Sequence, residues 1–492
     1  MNGAKLKLVL VTSLSALALA ACGGADNVAS PGEGAFPPGG GTTTPPPGGG
    51  TTPPPGQAAA DCPTGFANVG TVANGSLRAC QLPTQIIGNL VVPSRAGTIY
   101  SISGRTDVGQ DRGADPNAPL AGAQQGILTI EPGVRIFGSG GLDYINVTRG
   151  SQIFAEGTAT NPIIFTSRSN VEGNSGVDLI GQWGGIVISG RAPIASCPAG
   201  TTPPNINCVA TFEGGVALYG GNSPTDNSGR LRYVQVRYAG FEIQPNRELN
   251  GITFNGVGSG TTVEFVQVHN GSDDGMEFFG GTVNAKRIVI TGADDDSVDT
   301  DEGWRGGIQY LIVRQRANGG DRAFEQSSAG VQASLNSQPK FANFTVIGST
   351  RTGAGDLQVL NTGTGGRFIN GIFTTANAAT ACIDVDDTST VAAAPRWDSV
   401  VLACAANPFR NDSGVDGAQA AALFNAGANN ATNHTSTLSG FVNGSNEMGR
   451  VATNPQAIYA FFDNVSYIGA VRDASDTWWQ GWTCGLSAGS SC

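Results

Sequence analysis

Between residues 231 and 411 the chain repeats one pattern seven times: a short apolar strand, a corner rich in Gly, Asp and Ser, and an apolar–charged–apolar triplet. The triplets are Phe241-Glu242-Ile243, Met276-Glu277-Phe278, Val298-Asp299-Thr300, Phe324-Glu325-Gln326, Leu357-Gln358-Val359, Ile383-Asp384-Val385 and Phe409-Arg410-Asn411. Their central residues are 35, 22, 26, 33, 26 and 26 positions apart. A unit of that size cannot bury its own apolar face, so neighbouring units must stack, and the chain reads as a solenoid. Upstream, residues 126–137, 144–155 and 161–167 show short period-2 strands between glycine corners. Such strands suit an all-β parallel helix, in which each coil hydrogen-bonds to the next.

The outer residues of a triplet face the bore and the central one faces out. Equivalent residues of successive coils then lie about 4.8 Å apart. Glu242, Glu277, Asp299 and Glu325 are expected in one outward column, followed by Gln358 and Asp384. At the corners, a step of 22 places Asp273 on Asp295 and Asp274 on Asp296, beside Asp294, with Asp301 and Glu302 one strand later. Like charges at this spacing repel unless cations bridge them, arginines interleave or some members hold protons. Dense hard oxygen suits Ca²⁺, which accepts six to eight such ligands. The metal-ligating set read this way is Glu242, Asp273, Asp274, Glu277, Asp294, Asp295, Asp296, Asp299, Asp301 and Glu325. A solvated acidic corner without an ion and a catalytic carboxylate set are the competing readings.

The net charge of −11 leaves no basic stripe to neutralise phosphates, which excludes a nucleic-acid partner. With two histidines, His269 and His434, a His-rich transition-metal site is also excluded. Set Cys22 aside and eight cysteines remain: Cys62, Cys80, Cys197, Cys208, Cys382, Cys404, Cys484 and Cys492. An even count in an exported chain implies disulfides, and pairing in sequence order closes short loops.

Lys5 and Lys7 precede an apolar run over residues 8–19, and Leu19-Ala20-Ala21-Cys22 ends it. This resembles the bacterial lipoprotein signal. The resemblance implies cleavage before Cys22, acylation of Cys22 and, with Gly23 following, sorting to the outer membrane. Several acyl chains would hold the protein stably in a lipid bilayer. Residues 31–56 alternate Pro, Thr and Gly blocks without an apolar face, so they read as an extended spacer of about 3.1 Å per residue.

The upstream coils resemble the right-handed parallel β-helix (pectate-lyase-like) superfamily. So do Gln182-Trp183-Gly184-Gly185, Phe212-Glu213-Gly214-Gly215, Asn250-Gly251-Ile252-Thr253-Phe254, the run from Asp273 to Gly281 and Trp478-Trp479-Gln480-Gly481-Trp482-Thr483. More narrowly the chain is similar to a group of bacterial surface lipoproteins, for which the resemblance implies work beside outer-membrane receptors or export machinery. Lyases of the superfamily use Ca²⁺ on acidic ligands with an Arg or Lys base, and Lys286, Arg287, Arg305, Arg314 and Arg322 lie near the acidic run in sequence. Asp273-Asp274 resembles the paired aspartates of polygalacturonases. His269-Asn270-Gly271 departs from their Gly-His-Gly, however, and no Arg-Ile-Lys follows. A fold alone does not select a chemistry.

The expected organisation is a lipoprotein signal peptide over 1–21, a lipidated Cys and tether over 22–57, an N-terminal cap over 58–120 and a parallel β-helix over 121–411. Residues 412–492 would form a short helix and an aromatic cap, with Phe461, Phe462, Tyr467, Ile468 and the late tryptophans over the C-terminal end. Three functions fit. The first is a lipid-anchored or released outer-membrane protein that binds a polysaccharide, a nutrient or a surface receptor. The others are a Ca²⁺-dependent polysaccharide lyase or hydrolase, and a structural or adhesion protein of the cell surface.

Overall fold

The computed structural model describes residues 53–492 except 213–216, 245–246, 329–334, 406–407, 412–413 and 488. The leader, Cys22 and most of the tether lie outside the described residues, as does Glu213. Among the described residues the chain forms a parallel β-helix. One sixteen-stranded sheet and one ten-stranded sheet alternate along the chain, so each coil contributes a strand to both. A representative coil runs through the short strand Met276–Phe279, the long strand Asn284–Thr291, a corner, and the next short strand Val298–Asp301. In the short sheet the register stacks Met276 on Val298 and Phe278 on Thr300. These residues face the bore and are fully buried, as period-2 alternation requires.

Each long strand bends at one non-glycine residue of positive φ: Tyr233 (49°), Phe265 (55°), Arg287 (60°), Tyr310 (63°), Asn343 (52°) and Asn370 (55°). The bend divides the long sheet into two faces, which gives a coil three sides. Left-handed backbone is costly for such residues, and the stack offsets part of that cost. Tyr233 stacks on Phe265 at 4.3 Å between ring centroids, and Arg287 lies over the rings of Phe265 (4.9 Å) and Tyr310 (5.1 Å).

The bore is filled by branched side chains and an aromatic ladder. Phe254 and Phe278 are 4.9 Å apart, Phe278 and Trp304 4.5 Å, Phe368 and Trp397 5.4 Å. Trp183 and Trp304 are core residues. The four disulfides pair in sequence order: Cys62–Cys80, Cys197–Cys208, Cys382–Cys404 and Cys484–Cys492.

The ends differ from expectation in two ways. Parallel pairing begins at Leu77–Gln81 against Thr98–Ser101, inside the stretch read as a cap. The terminal edge itself is covered by the antiparallel strand Ala67–Val72. At the other end the helix Gly417–Asn425, capped by Asp416 and Gln419, inserts Phe424 against Trp397 and Phe409. The late aromatics do not sit on that end. Phe462 packs on Ala342 and Ile369, and Trp482 on the Val289–Ile312 region, so residues 435–492 run along the outer side of the long sheet. That side carries apolar and amide groups, and a lateral strap is what covers them.

Candidate functional site

The acidic residues gather where the corner enters the short sheet. Register places Thr253, Glu277, Asp299, Glu325, Val359 and Asp384 in one outward column. Glu277, Asp299 and Glu325 are stacked as expected. Glu242 is not among them. The strand Phe241–Gln244 folds back on Arg247–Leu249 as an antiparallel ribbon, which sets Glu242 opposite Glu248, and Thr253 takes the place beside Glu277. Gln358 is also displaced: it turns into the bore, donates to Gln326 at 3.0 Å and accepts from the Trp397 indole at 2.9 Å. A buried amide with both partners satisfied is stable there, and Val359 faces out instead.

At the corner a second column has a structural duty. The Asn250 Oδ1 accepts the Asp274 N–H at 3.1 Å, the Asp274 Oδ1 accepts the Asp296 N–H at 2.9 Å, and the Asp296 Oδ1 accepts the Arg322 N–H at 2.7 Å. Each side chain thus holds the backbone of the following coil. Asp356 continues the role by accepting the Ala381 N–H at 2.6 Å.

The two columns converge into three overlapping sets: Asp273, Asp274 and Asp295; Asp274, Glu277 and Asp299; Asp295, Asp296 and Asp321. Within each set one carboxylate oxygen per residue lies within 4.8 Å of the others. Two oxygens bound to one Ca²⁺ at about 2.4 Å can be no farther apart than about 4.8 Å, so each set satisfies the geometric limit for sharing an ion. Burial, then the charges of Asp273 and Asp296, push the Asp274 carboxyl well above its usual range. Burial and neighbouring carboxylates likewise raise Asp295, Asp296 and Asp299. The Asp299 Oδ1 is buried and has no hydrogen-bond partner. An orphaned acceptor inside a carboxylate triad fits a hard cation.

Of the remaining sequence-derived ligands, Asp294 is taken by an ion pair with Arg316. Glu325 pairs with Arg322 at 2.8 Å, and Asp301 stacks beside Phe279 at the far end of its strand. Asp321 and Asn250 were not read as site residues. Asp321 carries a signal, since it is the corner equivalent of Asp295, one coil on.

The family model for a pectate-lyase like beta helix domain matches residues 117–483. The chain belongs to the pectate-lyase-like β-helix family. No curated protein and no solved structure gives a match. Within the frame of a pectate-lyase-like β-helix, four of the five basic residues near the acidic run in sequence are engaged or placed elsewhere. Lys286 pairs with Asp463 and Arg287 with Glu264 on the long sheet, Arg305 bonds Asn336, and Arg314 ends a long strand. Arg322 sits on the cluster, 2.8 Å from both Asp321 and Glu325. Burial alone would lower its pKa, but Asp296, Glu325 and Asp321 outweigh burial and raise it. Arg322 is therefore a fixed positive charge in this geometry, poorly suited to removing a proton.

Proposed function

We propose that the protein is a non-catalytic binding protein, anchored in the outer membrane through acylated Cys22 and displayed at the cell surface or released from it. Its acidic corner holds Ca²⁺ and presents it to a polymer, nutrient or receptor partner. The observation that carries this reading is the buried, unpartnered Asp299 Oδ1 within reach of Asp274 and Glu277. Carboxylates arranged so closely repel one another, and a divalent ion removes that repulsion while leaving outward ligand positions for a partner. The helical coils supply rigid placement, and the Pro/Thr/Gly tether would hold the face clear of the membrane.

Thermal unfolding in EDTA and in Ca²⁺ tests the metal: the reading expects a higher midpoint with Ca²⁺, and identical midpoints overturn it. Incorporation of labelled palmitate, lost in Cys22→Ser, tests the anchor. A polyuronate panel followed by absorbance of unsaturated products and by reducing ends tests the lyase or hydrolase alternative. Product formation that depends on Ca²⁺ would replace the non-catalytic reading.

A further inference from the structure

We propose that a second site, on the other side of the same corners, binds a small hydroxylated oxyanion such as a sugar acid or a phosphorylated polyol. A cavity of about 340 Å³ opens there between the ends of the long strands and the segment closed by the Cys484–Cys492 disulfide. Its volume is at the lower end of the range for small-molecule sites, about 300–1,000 Å³.

The wall is built by register. His269, Thr291, Arg314 and Ile347 line the cavity from equivalent positions at the ends of four successive long strands, and Arg237 holds the same position one coil earlier, outside the lining. His269 is buried at 2% exposure, bonds Thr291 Oγ1 through Nδ1 at 2.8 Å and leaves Nε2 buried without a partner. Burial, with Arg237 and Arg316 nearby, lowers its pKa to about 3, so the ring is neutral and the positive charge of the wall is that of the arginines. Arg237 is held by Gln235, and Arg316 is ion-paired with Asp294, though its Nε is buried without a partner.

Arg314 differs from both. It lines the cavity half-buried, and among the described residues its guanidinium makes no ion pair and no hydrogen bond. A guanidinium removed from water ordinarily faces a carboxylate or phosphate, and its planar fork accepts two oxygens of one anion. Among the described lining residues the one carboxylate is Asp178, which is exposed and accepts from Asn318 at 2.9 Å, and no ion pair joins it to Arg314. Around Arg314 the described lining offers Asn270, Ser349, Thr350 and Ser490, which suit ligand hydroxyls, and no Phe, Tyr or Trp ring. Without a stacking platform the site favours charge recognition over a neutral sugar face.

The test is calorimetric titration of the full chain with inorganic phosphate, with D-gluconate and with D-glucose as the neutral control. Phosphate or gluconate should bind and glucose should not, and the preferred anion identifies the phosphoryl or carboxylate form. Arg314→Gln should weaken the preferred anion at least about tenfold, while leaving any Ca²⁺-induced rise in the thermal midpoint unchanged. Should that variant fail to fold, Arg314→Lys keeps the charge without the fork and should give a smaller loss. The proposal is overturned if neither anion binds better than glucose, or if the folded Arg314 variant binds as the unaltered protein does.

Discussion

Gln309 and Asp463 bond each other in both directions. The Gln309 amide donates to the Asp463 carbonyl at 3.0 Å, and the Asp463 N–H donates back to Oε1 at 2.7 Å. Asn370 does the same with Thr453, at 2.9 Å both ways, and Gln267 with Cys484, at 2.6 and 3.0 Å. Side-chain amides of the solenoid thus act as peptide groups for an irregular segment that has no strand to pair with. Gln309→Ala should leave two backbone groups of the strap unsatisfied and cost about 1–3 kcal/mol. Hydrogen exchange around residues 455–470 should accelerate while the coils stay protected. Unchanged exchange there would refute the role.

Asp299→Asn removes a buried charge from the crowded corner. In metal-free protein at neutral pH it should raise stability by on the order of 1–3 kcal/mol, the size of an uncompensated buried polar group. The same change should shrink the stabilisation by Ca²⁺. Thermal melts of both proteins in EDTA and in Ca²⁺ read the two effects. A variant less stable in EDTA and equally responsive to Ca²⁺ would contradict the arrangement.

Phe278 is fully buried, with Phe254 at 4.9 Å on one side and Trp304 at 4.5 Å on the other. Phe278→Ala opens the aromatic ladder and should destabilise by about 3–5 kcal/mol. Denaturant titration measures this, and a loss below about 1 kcal/mol would mean that the bore repacks around the gap.

Glu447 sets an acid limit. Burial would raise its carboxyl, but the Thr437 hydroxyl (2.7 Å), the Thr437 N–H (2.8 Å) and His434 (2.9 Å) outweigh burial and hold it at about 2, below the ordinary 4.5. A depressed folded-state pKa stabilises above the unfolded value, so this contribution is complete above pH 4.5 and fades as pH falls from 4.5 toward 2. It amounts to roughly 2–3 kcal/mol. Glu447→Gln should therefore flatten the stability profile between those limits, read as midpoints across a pH series. A profile of the same slope in both proteins rules the contribution out.

The repeat was legible because bore-facing positions such as Met276, Phe278 and Phe324 must be apolar, and that need leaves a mark at every coil. The site was less so. Gln358 looked outward in an apolar–polar–apolar triplet, yet it is an interior amide whose partners, Gln326 and Trp397, lie 32 and 39 residues away. Glu242 met the same pattern, but its strand closes on the next few residues instead of on the next coil. The left-handed bends at Tyr233, Phe265, Arg287 and Tyr310 carried no signal, because these are not residues that favour positive φ, whereas Asn343 and Asn370 are. The strap is aperiodic, so nothing in its spacing shows where it lies.

The strap also changes how the molecule should come apart. Coils of a solenoid ordinarily hold only their neighbours and can fray one at a time. Here the Gln235 amide is bonded to Trp482, 247 residues later, and Asn343 is bonded to Tyr467, 124 residues later. One late segment clamps coils that leave the ribosome long before it. Synthesised from the N-terminus, those coils wait with an uncovered flank until the final stretch arrives, and release of that stretch is the natural first step of unfolding. The stack behaves as a bound sheaf, in which stability at one coil is shared with coils it never touches.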